Sequence, residues 1–198
     1  TLYLCTTPIG NLQDLTLRVL ETLQTVDHIA CEDTRKTLQL LNHFSISKPV
    51  TSYYEHNKMT KGDVIIQQLK DGKNIALVSD AGMPGISDPG YDLVQQCLAE
   101  DIPFTVLPGA VAAVTGLVLS GMPTQRFAFE GFIPRQKKER QQFLQNLLTE
   151  ERTMIFYESP HRLEDTLKAL ADIFPERQMA AARELTKKFE EIVRGTPV

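Results

Sequence analysis

Cysteine is too sparse in this chain to build with. Cys5, Cys31 and Cys97 are odd in number, far apart and without CxxC spacing. That excludes a disulfide framework and a cysteine zinc site, and it fits a reducing, cytoplasmic compartment. Long hydrophobic runs are also missing: no apolar stretch approaches the roughly 18 residues a membrane span needs. The N-terminus lacks the charged-then-apolar layout of a secretion signal, so no membrane partner is expected. Glycine-rich phosphate motifs are absent as well. There is no GxxxxGK[ST], and TPIGN at residues 7–11 cannot be stretched into GxGxxG, so neither a Walker cradle nor a dinucleotide fingerprint is available. His28, His43, His56 and His161 show no ligand spacing, and YYEHN around His56 reads as a polar loop; no metal is expected.

What remains is 198 residues with 42% hydrophobic content, enough for one large domain or two small ones with real cores. The net charge of −4 argues against a polyanionic partner, but it is unevenly spread. Residues 1–124 hold 8 Lys+Arg against 13 Asp+Glu, whereas residues 125–198 hold 13 against 12, so the second half is where a polyanion would sit.

Short β-rich runs alternate with helical spacing. Leu2–Thr6, Val26–Cys31, Val50–Tyr53, Asn74–Ser79 and Phe104–Leu107 read as strands, and Leu15–Leu23, Thr34–Leu41, Gly62–Leu69, Tyr91–Ala99 and Ala110–Leu119 as helices. Such alternation predicts an α/β domain with a parallel sheet covered by helices. A turn at Gly121–Thr124 is the expected boundary, giving domains 1–121 and 122–198. Beyond it come a helix at Gln136–Leu148, a strand at Thr153–Tyr157, a helix at Arg162–Ile173 and a strand at Met179–Ala182. The chain opens without Met and closes on EEIVRGTPV, a strand-like segment with no partner after it, so a further C-terminal portion is expected.

The unusual chemistry collects after the strands: TPIGN, EDTR, SDAGMPGISDPG, PGA, ESPHR and RELTK. In open α/β sheets that edge binds ligands, because its loops converge and the following helices aim free N–H groups into one crevice. The loop Ser79–Gly90 exceeds the usual βα connection of about 2–6 residues. Its glycines and prolines make a backbone both sharply turned and stiff. Asp80 and Asp88 would repel a pyrophosphate but suit a cationic or hydroxyl-rich molecule, which favours a sulfonium cofactor over a dinucleotide.

TPIGNLQDLT, CEDTR, LVSDAGMPGISDPGYDLV, LPGAVAAV, FYESPHRL and ARELTKKFEE together resemble the tetrapyrrole-methylase family, and within it the branch acting on small-subunit (16S) ribosomal RNA. The resemblance spans essentially the whole chain. It implies a parallel-sheet N-terminal domain, a smaller mixed-sheet α/β C-terminal domain, S-adenosylmethionine in the cleft between them, and a homodimer. The activity it implies is 2′-O-methylation of a cytidine near the decoding centre, on 16S rRNA or on the assembled small subunit. Tetrapyrrole methylases carry a glycine-rich first loop where this chain has PIGN, so Pro8 and Gly10 look like the floor of a crevice. A tetrapyrrole-precursor methyltransferase and a non-enzymatic RNA-binding protein remain as alternatives.

Carried over motif by motif, the resemblance implies that Asp80, Ala81, Gly82, Met83, Ile86 and Ser87 line the cofactor. Val111 and Ala112 match a helix start that meets it, and Tyr157, Glu158 and Leu185 match the second-domain side. A ribose hydroxyl must lose its proton, and the candidates are Glu32, Asp33, Glu184, Lys187 and His161. Glu32 and Asp33 read equally well as the acidic start of a helix, and His161 as a surface residue. Arg35, Arg162 and Arg183 follow strand ends and would grip phosphates or form salt bridges. Arg135, Lys137, Lys138 and Arg140 crowd a helix N-terminus, where cations oppose the dipole. They read either as a solvated basic face or as an RNA contact.

Overall fold

The computed structural model describes residues 1–54 and 58–198 and divides the chain into two compact units, Thr1–Val111 and Ala112–Val198. His56 lies outside the described residues.

In the first unit the five strands are β1 (Leu2–Cys5), β2 (His28–Cys31), β3 (Val50–Ser52), β4 (Ile75–Val78) and β5 (Phe104–Leu107). All pairings are parallel, in the order β3-β2-β4-β1-β5. The connecting helices are α1 (Leu17–Thr25), α2 (Thr34–His43), α3 (Lys58–Lys70) and α4 (Tyr91–Ala99). Because side chains alternate along a strand, each strand feeds both faces. Leu2, Leu4, Ile75 and Leu77 pack with Ile65, Ile66 and Leu69 of α3 and Leu93 and Cys97 of α4. Cys5, Ile29, Cys31, Ala76 and Val78 pack on the other face with Val19 and Leu23 of α1 and Leu41 of α2. The central strand β4 is buried at every position, which is why it reads as an unbroken apolar run.

Helix starts follow local capping. Thr16 Oγ1 accepts from Val19 N at 3.2 Å and begins α1 two residues after the expected Leu15; Asp33 accepts from Arg35 N at 2.9 Å and begins α2. The three cysteines are free and buried, and burial pushes the Cys5 thiol up to about 12 and Cys97 up to about 11.

The second unit comprises α5 (Ala112–Ser120), β6 (Phe127–Phe132), α6 (Lys137–Asn146), β7 (Thr153–Tyr157), α7 (Leu163–Ile173), β8 (Met179–Arg183) and β9 (Glu191–Gly195). β6 and β7 pair in parallel, β8 and β9 antiparallel, so the two senses occur in separate two-stranded sheets. Its core is small: Ile133, Leu144 and Phe174, ringed by Phe143, Met154, Phe156 and Leu170.

Three features depart from expectation. The division falls between Val111 and Ala112, ahead of Gly121, because α5 packs inside the second unit: a Cβ on Gly116 would lie 3.8 Å from Leu185 Cδ1 and 4.0 Å from Ala182 Cβ. Arg194 on β9 also donates to the carbonyls of Leu119 and Ser120, satisfying the last turn of α5. The terminal strand β9 does have a partner, found before it in β8. And β6 is a strand that the alternation does not announce, since Glu130 and a left-handed Gly131 (φ +66°) interrupt FAFEGF where its register shifts. No helix among the described residues is long and apolar enough to cross a membrane.

So small a core makes each member matter. Leu144→Ala, at a fully buried position, should lower stability by about 2–5 kcal/mol. The check is a fall in the urea midpoint at unchanged m-value.

Candidate functional site

Strands β4, β1 and β5 are neighbours, so the chain leaves their carboxyl ends side by side. The three loops then lock together. Thr7 N donates to Gly82 O at 2.9 Å and Gly82 N donates to Thr7 O at 3.0 Å, an isolated antiparallel bridge joining the first loop to the fourth-strand loop. Gly82 sits at φ +83°, and a Cβ there would lie 3.4 Å from Ile9 Cγ2 and 3.5 Å from Ala110 O. It is wedged between the loops after β1 and β5 in a conformation that only glycine adopts cheaply. Gly109 approaches from the other side: a Cβ there would stand 3.0 Å from Thr6 Cβ and Cγ2.

Small hydroxyls complete the lock. Thr6 Oγ1 donates to Leu107 O at 2.8 Å, Thr7 Oγ1 to Ser79 O at 3.4 Å and Ser79 Oγ to Gly82 O at 3.3 Å. All three residues are buried. The sequence signal for two of them is a hydroxyl residue directly after an apolar strand, Thr6 after β1 and Ser79 after β4. Around them Pro8 and Met83 are half-buried, and Gly10, Ala81, Ile86 and Ser87 are exposed. Ser87 holds a left-handed backbone at φ +58°.

A group of carboxylates flanks this lock. Asp80 Oδ1 accepts from Asp33 N at 3.0 Å and Oδ2 accepts from Lys36 Nζ at 2.6 Å, so both of its oxygens bind the start of α2. Asp33 caps α2 and holds the Arg35 guanidinium at 3.1 and 2.8 Å, which draws its carboxyl down to about 2. It is a helix cap with little affinity for a proton, and Arg35 is its counterion. Two other carboxyls move the opposite way. Burial, with Asp80 adding to it, raises Glu32 above the usual carboxylate range. Burial, followed by the charge of Glu32, pushes Asp88 up to about 6, against a hydrogen bond from Ser79. Among the described residues no three His, Cys, Asp or Glu side chains are arranged to hold a metal.

In the second unit Tyr157 and Leu185 meet at α5. Tyr157 Oη accepts from Ala113 N at 3.1 Å, beside Ala112, with the Phe129 and Phe132 rings edge-on at 5.1 and 5.7 Å; Leu185 covers Gly116. Glu158 is fully engaged within its own unit. Its carboxylate accepts from Ser159 N at 2.7 Å and Thr166 Oγ1 at 2.6 Å and pairs with Arg162 at 3.2 Å. Arg162 further donates to Ile133 O at 2.8 Å and Pro134 O at 3.2 Å, so it braces the turn before α7. Glu184 pairs with Lys187 at 3.0 Å and Arg183 with Glu191, all on the β8–β9 hairpin. His161 is exposed in a 3-10 turn. Arg135, Lys137 and Lys138 are exposed, Arg140 is half-buried, and none of the four is in an ion pair among the described residues.

A family model described as tetrapyrrole (corrin/porphyrin) methylases matches residues 1–197. This chain belongs to that family. Among its relatives is the ribosomal RNA small subunit methyltransferase I of Halalkalibacterium halodurans, 56% identical over 196 residues, covering 99% of this chain and 68% of the relative. The protein of the same name in Thermotoga maritima is 48% identical over 189 residues, covering 96% of this chain and 85% of the relative. Among solved structures, a diphthine synthase superposes with a TM-score of 0.77 at 13% identity, covering 99% of this chain and 82% of that one. The methyltransferase CobJ does so with a TM-score of 0.72 at 18% identity, covering 99% and 86%. At those identities the solved structures establish the fold alone.

The raised Asp88 carboxyl has a consequence for stability. The native state keeps this proton to about pH 6, whereas the unfolded chain releases it near 3.8. Its contribution therefore destabilises progressively as pH rises through that window, and fully above it. Asp88→Asn should be more stable than the parent at pH 7.5, with the difference shrinking as pH falls from about 6 to about 4. Paired urea titrations across that range check it. A difference independent of pH would mean that Asp88 ionises normally.

Proposed function

We propose that this chain is an S-adenosylmethionine-dependent methyltransferase that modifies the 2′-oxygen of a cytidine in small-subunit (16S) ribosomal RNA near the decoding centre. The observation that carries the reading is the wedged Gly82, locked by Thr7 and flanked by Glu32, Asp80 and Asp88. What supports the substrate is the name shared by relatives 48–56% identical across nearly the whole chain. A cytoplasmic location and a homodimer belong to the same proposal, and the buried free thiols suit a reducing compartment.

The residues fit the cofactor on two counts. Gly82 and Gly109 let the loops after β1, β4 and β5 close on one another and so shape the sheet edge where the cofactor would lie, and an excess of carboxylate favours a cation there over a pyrophosphate. Pro8, Gly10, Ala81, Gly82, Met83, Ile86, Ser87 and Val111 are the first-unit residues proposed to hold it. Asp80 acts by tying their loop to α2. In the second unit Tyr157 and Leu185 would position the first turns of α5 from Ala112 onward, while Glu158 braces the turn after β7. The cofactor supplies a methyl group on positively charged sulfur, open to in-line displacement by an oxygen.

This chain's own task is then orientation and proton removal. Well-oriented neighbours can account for roughly 7–11 kcal/mol of a barrier, so a modest base suffices. Glu32 and Asp88 are the carboxylates suited to take the ribose proton, because burial has raised their affinity for it. Asp33, Glu184 and Lys187 are each committed to an ion pair. The exposed cations Arg135, Lys137 and Lys138, with Arg140, would contact RNA phosphates. At the start of α6 they oppose the dipole by about 0.3–1 kcal/mol each, so helix stability does not account for them. Arg35 and Arg183 already have carboxylate partners and would reach phosphate only by exchanging them.

The test of the activity is incubation of the purified protein and cofactor with small subunits, and with naked 16S rRNA, from a strain lacking the gene. A new 2′-O-methyl cytidine in the decoding region is expected; methylation only of a tetrapyrrole precursor would overturn the reading. Gly82→Val should weaken cofactor binding at least about tenfold while keeping the circular dichroism spectrum, since a branched side chain at φ +83° distorts the loop. Unchanged calorimetric affinity would remove this loop as the site. Changing Lys137, Lys138 and Arg140 to Glu should leave cofactor affinity alone and raise the KM for RNA. It should also flatten the log–log salt dependence by about 0.7–0.9 per lost phosphate contact.

A further inference from the structure

The hairpin between β8 and β9 ends in a tip that is more ordered than a connection needs to be. Lys187 N donates to Glu184 O at 3.0 Å, Glu190 N to Lys187 O at 3.1 Å, and Thr186 N to Glu190 Oε2 at 2.6 Å. Glu184 and Thr186 both hold left-handed backbone, at φ +51° and +68°. That conformation is unfavourable for a β-branched threonine and persists only where surrounding contacts enforce it. The tip's charges are mostly matched internally: Arg183 with Glu191, Lys187 with Glu184, and Glu190 with the Thr186 amide.

Two side chains are left over, and they are adjacent. Phe189 is 72% exposed, an aromatic ring held in water by a fixed backbone. The Lys188 ammonium stands 5.5 Å from the centre of that ring. Apart from this contact, neither is in an ion pair or side-chain hydrogen bond among the described residues. A preordered, largely exposed ring with a cation over one side has the chemistry of single-stranded nucleic-acid recognition: an unpaired base stacks on the ring, and the cation, released from it, meets the neighbouring phosphate. Fixing the ring in advance removes part of the ordering cost of binding.

We propose that Phe189 is a stacking platform for an unpaired base of the RNA substrate, with Lys188 reaching the adjoining phosphate. This rests on the reading of the protein as an RNA methyltransferase. The chain contains no tryptophan, so Phe189→Trp places a single, selectively excited tryptophan at the tip. Titration with a single-stranded RNA oligonucleotide should quench it. Phe189→Ala should raise the KM for RNA by about 5- to 150-fold, the range for losing one stacked base. Phe189→Leu, apolar but without a ring, should behave like Phe189→Ala, and cofactor affinity should stay within about twofold in all three. An unquenched tryptophan together with a parental KM in Phe189→Ala would overturn the proposal. So would a change of oligomeric state in Phe189→Ala by light scattering, because the ring would then belong to a contact between copies. If the parent itself methylates no RNA while quenching persists, the activity reading fails and the stacking site stands.

Discussion

Two backbone hydrogen bonds between Thr7 and Gly82 hold the first unit's loops in register. They extend pairing past the end of the sheet, where β1 and β4 have already finished, and turn two independent connections into one piece of structure. The remaining contacts depend on them. Ser79 and Thr7 hydroxyls reach carbonyls across the bridge, Gly109 closes on Thr6, and Ile9 lies against Gly82. A loop of twelve residues would otherwise carry a large ordering cost. Here the bridge divides it into shorter spans whose ends are fixed.

The same loop is tied a second time through Asp80. A carboxylate on the fourth-strand loop accepts from the backbone at the start of α2 and from Lys36 one turn on, so the loops after β2 and β4 move together. This arrangement draws Asp80, Glu32 and Asp88 near one another, and burial, with their mutual repulsion added, weakens the acidity of Glu32 and Asp88. Structural bracing and a raised proton affinity are therefore one feature seen from two sides. Replacing the brace would alter the chemistry of its neighbours.

The second unit solves a different problem. Its core cluster has only three buried side chains, of which Ile133 and Leu144 are fully buried, a small apolar area for four strands and three helices. Polar ties supplement it: Glu158 joins Ser159, Thr166 and Arg162, Tyr157 receives the Ala113 amide, and Arg194 closes the end of α5. Half-buried pairs of this kind confer position more than stability, since desolvation offsets much of their attraction.

Much was legible from residues alone. The period of apolar positions marks the parallel sheet and its helices, because burial on both faces leaves a continuous apolar run and burial on one face leaves a helical stripe. Turn chemistry puts the long loop after β4, and the ordered motifs identify the family. Pairing partners are a different kind of fact. That Thr7 meets Gly82, that Asp80 is bound to Lys36 rather than open to a ligand, and that Arg162 is a brace all follow from residues distant in the chain. Local pattern carries no signal for such contacts. The bulge in β6 breaks the alternation that would mark it as a strand, and α5, apolar all round, carries no stripe that says which unit it packs in. Composition and spacing determined which elements form and which residues gather at one sheet edge. Only the tertiary structure decided which of those carboxylates and cations neutralise one another and which are left to act, because charge pairing depends on distance in space and not along the chain.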